Sequence, residues 1–191
     1  MRLVSIQTEL GTRVAAVRDG QYIDLHATDS SLPTGMNELL AGGQELLQRA
    51  EQAAKTGKGI DPGTVKLLAP VPNPPKVICI GLNYADHARE TGKQPPPEPV
   101  VFNKFTTAVS AHGDPIVLPK LSKEVDFEAE LVAVIGRCGR HIPVESALEY
   151  VAGYTCGHDV SARDWQQRKP GGQWLLGKSF DGFAPFGPEL V

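Results

Sequence analysis

The sequence predicts a mainly β chain with short helices, of the α+β class, on three observations. Sixteen prolines and 20 glycines among 191 residues interrupt long helices and favour turns. Several short segments alternate apolar and polar residues with the period of two that half-buried strands require. One stretch, residues 36–55, keeps the three-to-four-residue apolar spacing of a longer helix, through Leu39, Leu40, Leu46, Leu47 and Ala50.

Taken in order, residues 2–7, 13–17 and 21–25 read as strands, the last two joined through Asp19-Gly20, a pair suited to a tight hairpin. The 36–55 helix, closed by Gly57, is expected to cover this sheet and complete a small N-terminal α/β accessory domain over residues 1–69. Pro70, Pro72, Pro74 and Pro75 make a stiff connector of residues 70–75. Beyond it, residues 76–80 form a continuous apolar run, expected to be a buried strand, and Asn83 is expected to cap a helix over 84–91. Further strands are expected at 100–104, 115–118, 127–136, 150–158 and 185–191, with a short helix at 146–149.

Composition narrows the function classes. Nineteen Lys and Arg against 22 Asp and Glu give a net charge of −3, so there is no electrostatic footprint for nucleic acid, which is not an expected partner. No apolar run approaches the ~20 residues of a membrane crossing, and no membrane association is expected. Nothing after Met1 reads as a leader, which makes the cytoplasm the expected location and the mitochondrion the alternative if a presequence precedes it. Cys79, Cys138 and Cys156 are odd in number and lie in apolar stretches, so reduced, buried thiols are expected.

The chemistry concentrates in a few segments. Within residues 126–135, alternation sends Glu128 and Glu130 to one face and Phe127, Ala129, Leu131 and Ile135 to the other. This is either an exposed polar strand face or a pair of carboxylates with Cβ atoms ~7 Å apart, able to share a hard cation at ~2.0–2.6 Å. Asp159 follows an apolar, strand-like run and either caps a loop or adds a third oxygen ligand. An oxygen-only set suits Mg²⁺, Ca²⁺ or Mn²⁺ better than Zn²⁺. His87 and Glu90, three residues apart, share a helix face as a surface pair or as a general-base dyad in which Glu90 orients the imidazole. Lys104 and Lys178, flanked by Phe102, Phe105 and Phe180, either bury their stems or meet an anionic substrate.

Several spaced motifs in one order resemble the fumarylacetoacetate hydrolase family. They are Ile80-Gly81-Leu82-Asn83-Tyr84-Ala85-Asp86-His87, Val125-Asp126-Phe127-Glu128-Ala129-Glu130-Leu131, Ala152-Gly153-Tyr154, Asp159-Val160-Ser161-Ala162-Arg163-Asp164, Gly177-Lys178-Ser179-Phe180-Asp181 and Gly187-Pro188. The resemblance implies a rolled mixed β-sheet core in residues 76–191, incomplete at the C-terminus because family chains continue past Val191 with further strands. It implies that Glu128, Glu130 and Asp159 hold one divalent cation, Mg²⁺ or Ca²⁺, with Mn²⁺ as a third candidate. His87 and Glu90 match a lid dyad that activates water, Lys178 a catalytic lysine near the metal, and Lys104, Arg163 and Gln166 substrate-binding groups.

The activity so implied is metal-dependent hydrolysis of a C–C bond in a 2-oxo acid or 1,3-dicarbonyl compound of the acylpyruvate type. The same enolate chemistry without water attack gives keto–enol tautomerisation or decarboxylation of oxaloacetate. A third alternative is an inactive fragment or interaction module. The implied partners are a small 2-oxo acid and, in a homodimer, a second copy.

Overall fold

Alternation in the first third of the chain produces a five-stranded antiparallel sheet. The computed structural model describes residues 1–92 and 94–191. Strands β1 (Leu3–Thr8), β2 (Gly11–Arg18) and β3 (Gln21–Asp24) form a meander. Helices α1 (Leu25–Thr28), α2 (Met36–Ala41) and α3 (Gly43–Thr56) follow, then β4 (Gly59–Ile60) and β5 (Lys66–Leu68) complete the order β4-β3-β2-β1-β5. Leu3, Val14 and Ala16 pack on the helical side against Met36, Leu39, Ala50 and Ala53. Val4, Ile6 and Ala15 pack on the opposite face with Tyr22, Val65 and Leu67.

The single helix expected over 36–55 is two helices. Gly43 takes φ +63°, a left-handed conformation open to glycine and costly for other residues, and the axis restarts there.

The rest of the chain forms three smaller sheets. β6 (Val77–Gly81) pairs antiparallel with β7 (Val100–Lys104), which sets Cys79 opposite Phe102. The run expected to be a fully buried strand alternates instead, with Ile78 and Ile80 exposed and Cys79 and Gly81 turned inward. Helix α4 (Ala85–Glu90) starts at Tyr84 with no side-chain cap, so Asn83 does not take the capping position.

β8 (Val109–Ala111), β9 (Val125–Asp126), β10 (Ala129–Ile135) and β11 (Val151–His158) lead to β12 (Ser161–Ala162), α5 (Arg163–Arg168), α6 (Trp174–Lys178) and β13 (Ala184–Phe186). β10, β11, β13 and β8 make a mixed sheet in that order, parallel only between β13 and β8, while β12 pairs with β9. The family-like mixed character expected of this part of the chain is therefore present.

Three expected elements differ. Residues 115–118 form no strand, because Pro115 and Pro119 remove ladder donors at both ends and leave Val117 and Leu118 exposed. The helix at 146–149 is one 3₁₀ segment, Val144–Tyr150. The strand over 185–191 stops at Phe186, and the chain then bridges the two sheets: Leu190 pairs with Leu3 and Val191 with Tyr154.

The cysteines are also less buried than expected. Cys156 lies opposite Leu131 on an outer face of the β10–β11 pair that nothing covers among the described residues, and Cys138 is likewise exposed. No helix among the described residues is long and apolar enough to cross a membrane.

Candidate active site

Asp159 lies directly after β11, and its backbone N–H donates to the carbonyl of Glu128 at 3.0 Å. This bond ties the turn after β11 to the break between β9 and β10, so two carboxylates distant in sequence share one side of the sheet. Glu130 follows two residues on, half-buried like Glu128, while Phe127, Ala129 and Leu131 between and beyond them face outward. The alternation read from the sequence holds here.

Lys178 closes the arrangement from the end of α6. Its Nζ donates to Glu128 Oε2 and Asp159 Oδ2, both at 2.8 Å, and to Ser161 Oγ at 2.7 Å, and the residue is 2% exposed. Gly177 permits this approach: a Cβ there would stand 2.6 Å from the backbone nitrogen of Gln166, so only glycine lets α6 lie against α5.

Lys104 meets Asp159 from the other side, with Nζ 2.6 Å from Oδ1. The same ammonium donates to Val160 O at 3.0 Å and Phe183 O at 2.5 Å. Two of its N–H groups are thus directed at backbone oxygens, and its charge pairs with Asp159.

Arg163 and Gln166 also work on the carboxylates. The guanidinium donates from Nη2 to Glu128 Oε1 at 2.7 Å, from Nε to Asp126 Oδ2 at 3.0 Å, and from Nη1 to Gln166 Oε1 at 3.0 Å. In this structure Gln166 steadies Arg163, which orients Glu128.

His87 and Glu90 lie exposed on α4, and no hydrogen bond or ion pair joins them among the described residues. The expected dyad is therefore not assembled here. What connects α4 to β10 is Tyr84, whose hydroxyl accepts from Leu131 N–H at 2.9 Å, next to Glu130 in the chain.

Burial and charge set the protonation preferences. Burial alone would raise the Asp159 carboxyl, but the Lys104 and Lys178 ammonium groups outweigh it and hold its pKa below the usual carboxylate range. Burial raises Glu130, partly countered by the Tyr84 hydroxyl and reinforced by the charges of Glu128 and Asp159. Burial lowers Lys104 against the pull of Asp159. Burial, with the charge of Asp159, pushes the Cys79 thiol up to about 12, which leaves it inert as a nucleophile.

The family model for the fumarylacetoacetate (FAA) hydrolase C-terminal region matches residues 76–191. The chain belongs to the fumarylacetoacetate hydrolase family. Among the family's members, oxaloacetate tautomerase fahd2, mitochondrial, from Xenopus laevis is 51% identical over 173 residues, covering 90% of this chain and 54% of that protein. Oxaloacetate tautomerase FAHD2A, mitochondrial, from Homo sapiens is 47% identical over 173 residues, covering 90% of this chain and 55% of that protein. The solved structure of the fumarylacetoacetate hydrolase from Exiguobacterium antarcticum matches with a TM-score of 0.82 at 33% identity, covering 100% of this chain and 66% of that one. The chain thus spans about half the length of these two tautomerases.

Enzymes of this family typically use divalent metals, and the residues present fit one. The three carboxylates form a hard, oxygen-only donor set, and Asp159 Oδ1 is buried without a hydrogen-bond donor in good geometry, its Lys104 neighbour being close but poorly angled. No three His, Cys, Asp or Glu side chains among the described residues already stand in a ligand arrangement. The Lys178 ammonium contacts both Glu128 and Asp159 at 2.8 Å.

Four functional neighbours escaped the sequence reading: Asp126 and Ser161, which brace Arg163 and Lys178, Tyr84, and Phe102, whose ring lies 5.0 Å from Lys178 Nζ. Asp126 and Ser161 each sit two residues from a candidate ligand, the strand spacing that puts them on the same face. That spacing was the available signal.

Proposed function

We propose that the whole protein interconverts the keto and enol forms of oxaloacetate or a closely related 2-oxo diacid, with Glu128, Glu130 and Asp159 holding a divalent cation. The observation that carries this reading is the 47–51% identity to proteins named oxaloacetate tautomerase. When bound, such a cation supplies Lewis-acid polarisation of a chelating 2-oxo acid. In tautomerisation the C3–H bond breaks, the C2–C3 double bond forms and the former carbonyl oxygen gains a proton, with no change in formula and no water consumed.

The residues of this chain serve that chemistry in distinct ways. Arg163, braced by Gln166, sets the carboxylate plane of Glu128. Lys104 fixes Asp159 against the backbone of residues 160 and 183. Lys178 is the ammonium that contacts two of the three candidate ligands and offsets negative charge that develops on a substrate oxygen.

Hydrolysis of an acylpyruvate is the second reading, favoured by membership of the family as a whole. It requires an activated water, and His87 and Glu90 stand apart on the solvent side of α4. Tautomerisation asks less of them. The relatives' mitochondrial naming likewise supports the mitochondrial location over the cytoplasmic one for the whole protein.

The test is a side-by-side assay of the whole protein with Mg²⁺: decay of enol absorbance from oxaloacetate, and loss of an acylpyruvate. Accelerated enol–keto exchange that disappears in Glu128→Gln supports the proposal. Acylpyruvate cleavage without accelerated exchange overturns it.

A further inference from the structure

Lys178 has no donor to spare. An ammonium carries three N–H groups, and those of Lys178 go to Glu128 Oε2, Asp159 Oδ2 and Ser161 Oγ at 2.7–2.8 Å, within a position 2% exposed. Two of those acceptors belong to the carboxylates that the proposed metal site requires. Lys104 is anchored differently, since its two hydrogen bonds go to backbone carbonyls and it meets Asp159 as an ion pair.

Charge counting gives the same result. Asp126, Glu128, Glu130 and Asp159 carry four negative charges against the three positive charges of Lys104, Arg163 and Lys178, a balance near neutrality with the lysine in place. A divalent cation added beside Glu128 and Asp159 would meet the Lys178 ammonium at a separation where two like charges in a poorly hydrated site repel strongly. Ser161 Oγ and the Phe102 ring offer the ammonium a hold that does not depend on either carboxylate.

We propose that Lys178 is the counter-cation of the metal-free site. Its ammonium holds the place between Glu128 and Asp159 and gives up at least one of them when a divalent cation binds, which turns a freed N–H toward an anionic substrate oxygen. The inference rests on the metal-dependent reading above. Lys178 and the divalent cation are therefore competitors for one pair of carboxylates, so metal loading and exposure of the lysine are coupled.

The test is calorimetric titration of Mg²⁺ into the wild-type chain and Lys178→Met, with melting of both metal-free forms. The variant is expected to melt lower without metal, having two uncompensated carboxylates, and to bind Mg²⁺ about tenfold more tightly, within the usual range of coupling between competing sites. Equal or weaker Mg²⁺ affinity in the variant overturns the proposal while leaving the metal reading intact. Absence of Mg²⁺ binding in both proteins overturns the metal reading and the proposal with it.

A second measurement needs no variant. In wild-type protein labelled with ¹⁵N-lysine, two buried ammonium groups give slowly exchanging signals, and saturating Mg²⁺ is expected to abolish the protection of one. Survival of both signals unchanged at saturation overturns the proposal.

Discussion

Arg163 holds Glu128 from the side opposite Lys178, with Nη2 2.7 Å from Oε1. Both oxygens of that carboxylate are thereby assigned a partner, and the guanidinium is itself steadied by Asp126 and Gln166. Burial would lower the Arg163 pKa, but the carboxylates of Glu128 and Asp126 outweigh it and keep the charge firmly in place. Arg163→Met should therefore weaken Mg²⁺ binding by ~10–100-fold, as loss of a group that orients a ligand does, with a smaller loss in Gln166→Ala. Mg²⁺ titration of both variants checks the ranking.

Lys104 is a buried ammonium whose removal leaves Asp159 without this counter-charge and two backbone carbonyls without their donor. Lys104→Met is expected to lose ~3–5 kcal/mol of stability, the usual penalty for breaking a buried pair from one side. Urea unfolding of the metal-free proteins measures it. A substrate-contact role alone would leave stability unchanged.

Asp164 ties α5 to the preceding loop by accepting from Ser122 Oγ at 2.6 Å, Trp165 N–H at 3.0 Å and Lys123 N–H at 3.1 Å. The Ser122 hydroxyl chiefly, with the backbone donors, holds its pKa below the ordinary carboxylate value. Because the folded pKa is depressed, the stabilisation is fully present above the unfolded pKa and is lost as pH falls through the folded one. Asp164→Asn should therefore melt below wild type at neutral pH, and the gap should close in acid below the ordinary carboxylate range. Melting curves across that range show whether it does.

The outer face of the β10–β11 pair carries Leu131 and Ile135, at 66% and 63% exposure, with Tyr154, and Phe127 just before β10 is exposed as well. A contiguous apolar sheet face of this kind favours self-association. Leu131→Glu is expected to lower the sedimenting mass of the chain at high concentration without lowering its melting temperature.

Much of this was legible in the sequence because strand periodicity decides which residues share a face. Glu128 and Glu130 on one side and Leu131 and Ile135 on the other follow from alternation alone. The meeting of Asp159 with Glu128 is a long-range backbone bond that no local pattern encodes; the family motifs were what supplied it. Local patterns misled where tertiary partners decide. A buried strand at 76–80 required a second covering layer that the described residues do not provide, and one helix over 36–55 required Gly43 to stay right-handed. A cation in a motif announces an anion without saying which one, and in this structure Arg163 and Lys104 meet the protein's own carboxylates.

Together, the three carboxylates are proposed to form a divalent-cation site for a 2-oxo acid. Oxalate, a planar dianion with the chelating oxygens of an enolate, tests it by calorimetric titration with and without Mg²⁺. One-site oxalate binding that requires Mg²⁺ and is lost in Asp159→Asn is expected of such a site. Oxalate binding indifferent to Mg²⁺, or retained in Asp159→Asn, contradicts it.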